Sequence, residues 1–180
     1  MPRGTADRER PLRISLAALE VVGERGVEGL THRAVAAAAG VPLGSTTYHF
    51  KTLDDLLVAA MQEAKRATDA ELIEWSDSLH RAGDRDLPRA LAAYVLDALT
   101  NHWGRTVVEI ELYMAALRRP QLLELSQEWD ESLVSVLEQH AEPETANVLA
   151  MMVDGILVRA MIHGKPSIEE VESVFRRVVG

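Results

Sequence analysis

The chain contains no cysteine, which excludes a disulfide framework, a thiolate metal site and a thiol nucleophile. No uninterrupted apolar run approaches the ~18–20 residues of a membrane span. The opening MPRGTADRERP is polar and lacks the apolar stretch of a secretory signal. A cytoplasmic protein without a membrane partner is therefore expected. Catalytic signatures are missing as well: no GxSxG, Walker loop or GxGxxG is present. The six histidines (His32, His49, His80, His102, His140, His163) are scattered, none in HExxH or similar metal spacing. Glu109 and Glu111 lie two apart and cannot share a helical face, so they make a poor acid/base pair. Neither an enzyme nor a metal or cofactor is expected. Hairpin dipeptides between alternating runs, internal repeats and low-complexity tracts are also absent.

What is present is helical and unevenly charged. The net charge is −9, yet residues 1–51 hold seven Lys/Arg against five acids, a balance of +2, leaving −11 for the remainder. Phosphate affinity depends on local cations, so a mildly basic head on an acidic body can still bind DNA. Leu12, Leu16 and Leu19, with Ile14, Ala18, Val21 and Val22, predict a first helix over about residues 8–25. Thr52 can N-cap a long helix running towards His80, with Asp54 and Asp55 in its first turn and a break expected near Thr68. Residues 81–86 read as a loop. Pro88 opens a helix to about His102, and Gly104 interrupts before a helix to Arg119. Pro120 opens one to about His140, Pro143 one to His163, and residues 164–166 precede a short last helix. The fold is expected to be all-α.

The most informative stretch is THRAVAAAAGVPLGSTTYHFKTLDDLL, residues 31–57. Thr31 can cap a short helix in which Val35, Ala36, Ala38 and Ala39 admit a close neighbour. Gly40 tolerates the left-handed geometry that ends a helix, and Val41 can plug a core. Pro42 suits the first turn of a second short, hydroxyl-rich helix, Leu43–His49. This is the pattern of a helix-turn-helix whose second helix enters a DNA major groove. Leu30-Thr31, Gly40-Val41, Gly44-Ser45, Tyr48-His49-Phe50-Lys51-Thr52 and Asp55-Leu56-Leu57 stand in the order seen in the TetR family of bacterial regulators. The chain resembles that family over roughly residues 12–61. The resemblance implies a helix-turn-helix DNA-binding domain, residues 1–51, followed by a helical effector-binding and dimerisation domain, residues 52–180, with the helix from Thr52 linking the two.

Thr31, Arg33, Gly44, Ser45, Thr47, Tyr48, His49 and Lys51 are the expected DNA contacts, Phe50 the apolar anchor. Ordinary packing at a domain edge is the alternative for Tyr48 and His49. The sequence departs from the family pattern at four places: Leu43 where a polar residue is frequent, Thr46 for a core leucine, Thr47 for a tyrosine, and Leu53 for a phosphate-binding lysine. These changes favour readout by hydroxyls, thymine-methyl contact and DNA shape. Arg3, Arg8 and Arg10 read equally as a DNA-binding arm or a disordered tail.

One helix-turn-helix reaches one half-site, so two must be held at fixed spacing. Leu122, Leu125, Trp129, Leu133 and Val136 form one stripe, and Met152, Gly155 and Ile156 lie in a helix apolar nearly all round. These residues are the expected dimer interface; a core helix of a monomer is the alternative. The expected effector pocket draws on Trp75, Leu79, Tyr94, His102, Trp103, Glu109, Ile110, Tyr113, Met114 and Met151. Glu109 and Glu111 either bind a cationic or hydroxylated ligand or, in the blander reading, pair with Arg105 or Arg159 or face water. The expected partners are duplex operator DNA, a second copy of the chain and an unidentified small molecule. The expected function is that of a homodimeric transcriptional repressor released by its effector from a near-palindromic operator. A helical adaptor, or a DNA-binding protein blind to ligands, is the alternative.

Overall fold

The computed structural model describes residues 8–83 and 86–180. Among them are nine α-helices, two short 3₁₀ turns and no strand. The helices are α1 Arg10–Arg25, α2 His32–Ala38, α3 Leu43–His49, α4 Leu53–Arg81, α5 Leu87–Ala98, α6 Trp103–Ala115, α7 Leu123–Leu137, α8 Pro143–His163 and α9 Ile168–Val179. The 3₁₀ turns are Val27–Gly29 and Pro120–Leu122. Of the three arginines read as an arm, Arg3 lies outside the described residues, Arg8 is exposed and Arg10 opens α1. Asp84 and Arg85 of the expected 81–86 loop also lie outside them.

Two apolar cores organise the chain. The first gathers Ile14, Ala18, Val21 and Val22 of α1, Val35 of α2, and Leu56, Leu57, Ala60 and Met61 of α4. It also takes in Val108 and Leu112 of α6 together with Leu122, so the first core does not stop at Lys51. Leu12 and Leu16 of α1 stand 46 % and 49 % exposed. The face through Ile14, Ala17, Ala18 and Val21 turns inward instead, because the alanines let α4 approach. The second core joins α5, α7, α8 and α9 to the distal half of α4, with Phe175 of α9 wholly buried.

Helix α4 runs unbroken for 29 residues, roughly 44 Å at the α-helical rise. The expected break near Thr68 does not occur: the helix passes through Thr68, whose side chain is buried with Oγ1 3.2 Å from the Ala64 carbonyl oxygen. Helix α5 ends at Ala98 rather than near His102. There the Thr100 hydroxyl donates to Leu96 O (2.6 Å), Thr106 Oγ1 to Ala98 O (3.0 Å), and the Asn101 amide to Asp97 Oδ1 (2.6 Å). Helix α6 stops at Ala115, four residues before the expected end. Pro120 bars Arg119 from helical geometry, and Arg119 is found at φ −132°, ψ 89°.

Helix α8 is the most apolar of the long helices among the described residues. Despite Asp154 and Arg159 it is long and apolar enough, by length and composition, to cross a membrane. Its apolarity has two destinations: Ala146, Leu149, Ala150, Val153 and Ala160 are buried, while Val148, Met151, Val158 and Ile162 lie exposed.

Candidate nucleic-acid interface and internal cavity

The head is built by local rules. Thr31 Oγ1 accepts from Ala34 N at 3.1 Å, fixing where α2 begins. Gly40 turns the chain with φ +63°, a conformation that costs a side-chain-bearing residue strain. The Val41 N–H then closes onto Ala36 O at 3.0 Å. Thr46 is wholly buried and donates its hydroxyl to Leu43 O at 2.8 Å. It thereby does the packing work of the leucine it replaces without stranding a polar group.

The opposite side of α3 faces outward. Gly44, Thr47, Tyr48 and His49 are exposed there and Ser45 is half-buried; Thr31, Arg33 and Lys51 are exposed beside them. All eight expected DNA residues lie in or beside α2 and α3 and are exposed or half-buried. Tyr48 is 72 % exposed, its ring edge-on to His49 at 4.9 Å. Lys51 Nζ lies 5.5 Å from the Tyr48 ring centroid and donates to Thr47 O at 3.3 Å. Phe50 is tucked against the first core. Exposed Leu43 and Leu53 give this surface apolar edges where cations are commoner.

The junction is built from a capping box at the start of α4 and two contacts that cross between head and body. A capping box joins Thr52 and Asp55 (Asp55 N to Thr52 Oγ1, 3.0 Å; Thr52 N to Asp55 Oδ2, 2.8 Å). The Thr52 N–H bond holds the Asp55 carboxyl below its usual range. From α6, Glu111 Oε1 accepts the Val27 N–H at 2.8 Å. Gly26, at φ +72°, passes so close that a Cβ there would sit 2.8 Å from the same oxygen. Arg119 reaches Asp54 at 2.8 Å and Glu28 at 3.4 Å. Glu111 thus serves a backbone N–H of the head.

Between the helices of the body lies a cavity of about 140 Å³. Thr68 and Leu72 line it from α4, and Tyr94 from α5. Helix α6 supplies Thr106, Glu109, Ile110, Tyr113 and Met114. Helix α7 supplies Trp129, Asp130 and Leu133, and α8 supplies Val153, Asp154, Leu157 and Val158. Of the residues expected here, Tyr94, Glu109, Ile110, Tyr113 and Met114 line the cavity. Five do not. Trp75 is packed between Tyr94 and His140, with ring centroids 5.8 Å from each. Leu79 is buried in the second core, and His102 sits 3.2 Å from Asp97. Trp103 and Met151 are surface residues, 43 % and 61 % exposed.

The cavity carries more charge than the sequence led one to expect. Glu109 accepts from Thr68 Oγ1 at 2.9 Å and lies 3.3 Å from Arg105 Nε; Arg105 also pairs with Glu71. Burial raises the Glu109 pKa against the pull of those partners. Tyr113 donates its hydroxyl to Asp130 at 3.1 Å. Enclosure raises Asp130, and Asp154 is pushed up to about 6 by enclosure and by the neighbouring Asp130. Burial and the nearby Glu109 raise the Tyr94 hydroxyl too. Sequence reasoning missed Thr68, Asp130 and Asp154, because nothing local says which way a helix turns its acids.

The expected dimer stripe on α7 turns mostly inward in the single chain. Leu122, Leu133 and Val136 are buried in the chain's own cores, and Leu125 and Trp129 are packed against the first core. Leu125 and Trp129 keep partial exposure, and α7 packs between α4 and α8. Met152 and Ile156 are likewise partly buried against the second core, whereas Gly155 is exposed. The exposed apolar stripe runs instead along α8 through Val148, Met151, Gly155, Val158 and Ile162, with Val174 of α9 also exposed.

A helix-turn-helix head locked to a helical body around a cavity defines a DNA-binding regulatory protein. Residues 14–60 match the bacterial regulatory proteins of the tetR family, and residues 82–180 match the Tetracyclin repressor-like, C-terminal domain. The multidrug binding protein EbrR in its crystal structure with imidazole is 40 % identical, over 100 % of this chain and 97 % of that one, with a TM-score of 0.85. EbrR in complex with ethidium is 38 % identical over 96 % and 99 %, with a TM-score of 0.82. The HTH-type transcriptional regulator PksA of Bacillus subtilis (strain 168) is 27 % identical, over 90 % of this chain and 83 % of its own length. The chain belongs to the TetR family. It is a non-enzymatic, DNA-binding transcriptional regulator.

Proposed function

We propose that this regulator is a homodimeric repressor that leaves a near-palindromic operator when a small organic effector enters the cavity. One observation carries the reading: α6 presents Glu109 to the cavity and, two residues later, Glu111 to Val27 of the head. An effector that prefers another position of α6 therefore changes how the head is held. It shifts the population away from the arrangement that matches two half-sites.

In this reading residues 1–51 form the DNA-binding unit and residues 52–180 the sensing and dimerising unit, with α4 rigidly shared. Helix α3 enters the major groove. Gly44 lets the backbone approach, Ser45 and Thr47 offer hydroxyls to bases, and Tyr48, His49, Lys51, Thr31 and Arg33 bind phosphates. The α8 stripe of Met151, Gly155, Val158 and Ile162 seats a second copy, setting the heads about one helical turn of DNA, ~34 Å, apart. The ligands in the EbrR complexes, imidazole and ethidium, are nitrogen compounds, and the apolar, acid-bearing cavity suits the same broad class here. The protein acts in the cytoplasm, where its operator is.

Selection of random duplex DNA by the purified protein, followed by sequencing of the retained pool, tests the proposal. A near-palindrome is expected, and ethidium is then expected to displace that DNA, followed with labelled duplex to separate release from ethidium intercalation. No enrichment from a folded dimer at low salt would overturn the DNA reading in favour of a helical adaptor. Enrichment that no organic cation reverses would leave a ligand-blind DNA-binding protein.

A further inference from the structure

We propose that Leu43 reads the C5-methyl group of a thymine in each half-site, so that one operator base pair is chosen by apolar contact and not by a hydrogen bond. The inference rests on the reading of α3 as the helix that enters the major groove. It concerns how one position of that helix selects its base.

Leu43 is the one large aliphatic residue of α3, and it stands 45 % exposed. Val41 and Phe50, which bracket the helix, pack against the first core instead. The backbone beneath Leu43 is held, because its carbonyl accepts the buried Thr46 hydroxyl at 2.8 Å. Its surroundings are less polar than the residue names imply. Thr47, four residues on and on the same face, donates its hydroxyl back to Gly44 O at 3.4 Å. A threonine used in this way keeps an acceptor oxygen and a methyl group for a base, with its donor already committed. Gly44 adds no side chain between the two, and a Cβ there would meet nothing within 4 Å. The outward face of α3 thus carries an apolar edge, Leu43 flanked by Thr47, beside a gap that admits a base.

The major groove answers such an edge in one way. Purines display N7 with O6 or the N6 amine beside it, and cytosine displays its N4 amine. An isobutyl group pressed against any of these strips water from a polar atom and returns no hydrogen bond. Thymine carries a methyl group there, so contact with Leu43 removes apolar surface from water on both partners. Leu43 therefore favours thymine by contact and penalises the other bases by leaving a polar edge unpaired. Leu53 is exposed as well, but it opens α4 beyond Lys51 and lies outside α3, which makes it a control.

The test uses the full-length protein and the operator recovered by selection from random duplex DNA. Each thymine of that operator is replaced in turn by deoxyuridine, which removes the methyl group and keeps every hydrogen-bonding atom. Fluorescence anisotropy should reveal one thymine per half-site whose replacement weakens binding roughly four-fold, the loss of one buried methyl group. Leu43→Ala should bind more weakly overall and treat thymine and deoxyuridine at that position alike, whereas Leu53→Ala should keep the difference. Because Leu43 is exposed, Leu43→Ala should retain the wild-type melting temperature. On the DNA side, 5-methylcytosine at that position should bind wild type more tightly than cytosine by a similar factor. A deoxyuridine penalty undiminished in Leu43→Ala would report DNA stiffness and overturn the contact. Equal binding of thymine and deoxyuridine at every position would overturn it too, with α3 still the reading helix. Failure to enrich any sequence from the folded protein would remove the reading helix itself, and this inference with it.

Discussion

Replacing Glu111 with alanine removes the acceptor of the Val27 N–H, a bond of 2.8 Å between a carboxylate of the body and the backbone of the head. Val27 is only 7 % exposed, so its N–H would lose most of its access to a substitute partner. Hydrogen bonds to charged groups contribute about 1.5–3 kcal/mol, and orphaning the donor costs a similar amount. Glu111 is half-buried and water can reach part of the gap, which sets the expected loss at about 1–2 kcal/mol. For a chain of this size that corresponds to a fall in melting temperature of roughly 2–8 °C. The loss is local to the joint between α1 and α6, so it should appear in function before it appears in fold. Operator affinity should fall several-fold, and the ability of an effector to release DNA should weaken further, because the joint transmits the movement of α6. Glu111→Gln keeps an acceptor and should restore most of both properties. Urea denaturation measures the first quantity; fluorescence anisotropy of labelled operator, with and without effector, measures the second. Wild-type stability, DNA affinity and effector response in Glu111→Ala would refute the claim that this bond ties the head to the sensing helix.

Other consequences can be tested separately. Tyr48→Ala and Lys51→Ala should each weaken binding to all duplexes by a similar factor, and Lys51→Ala should reduce the slope of log affinity against log salt by about one charge; an unchanged slope would remove Lys51 from the phosphate contacts. Met151→Glu or Ile162→Asp places a charge on the exposed α8 stripe and should convert the proposed dimer to monomer in sedimentation; a persistent dimer would put the interface elsewhere. Asp154 binds its proton more tightly in the folded chain (about 6) than in the unfolded one (3.8), so its penalty grows as pH rises through that window and is complete above it. Asp154→Asn should therefore gain about 1 kcal/mol over wild type above pH 6, solvent screening allowed for, and nothing below pH 4; a gain independent of pH would deny the titration. Thr52→Ala should cost about 1 kcal/mol through loss of the capping box, read as a lower urea midpoint at unchanged slope.

The reading head was legible in the sequence because each of its decisions is local. Thr31 caps, Gly40 turns and Thr52 starts the next helix, each through contacts within a few residues. Proline and glycine marked most helix starts for the same reason, and α3 and α8 fall on the boundaries their sequence punctuation suggested. Helix ends were harder. The early stop of α5 depends on Thr106, eight residues beyond Ala98, turning back to cap its carbonyl. Leu12 and Leu16 show the limit of periodicity: both faces of α1 hold apolar residues, and contact with α4 chooses between them.

Facing decided the rest. The α7 stripe is apolar whether it meets a partner or its own chain; only the packing of α4 and α8 around it turned Leu133 inward and placed Trp129 at the cavity. Two acids two residues apart on α6 look alike in sequence, yet one lies beside Arg105 and the other binds Val27, because successive helical positions point about 100° apart. Asp130 and Asp154 belong to different helices, and no spacing rule joins them. Sequence alone determined that this chain carries a DNA-reading head on a helical body, since caps, turns and motif order act over a few residues. Tertiary structure decided where the cavity lies, which acids face it and how α6 is tied to the head, since those depend on the rotation of each helix against neighbours far away in the chain.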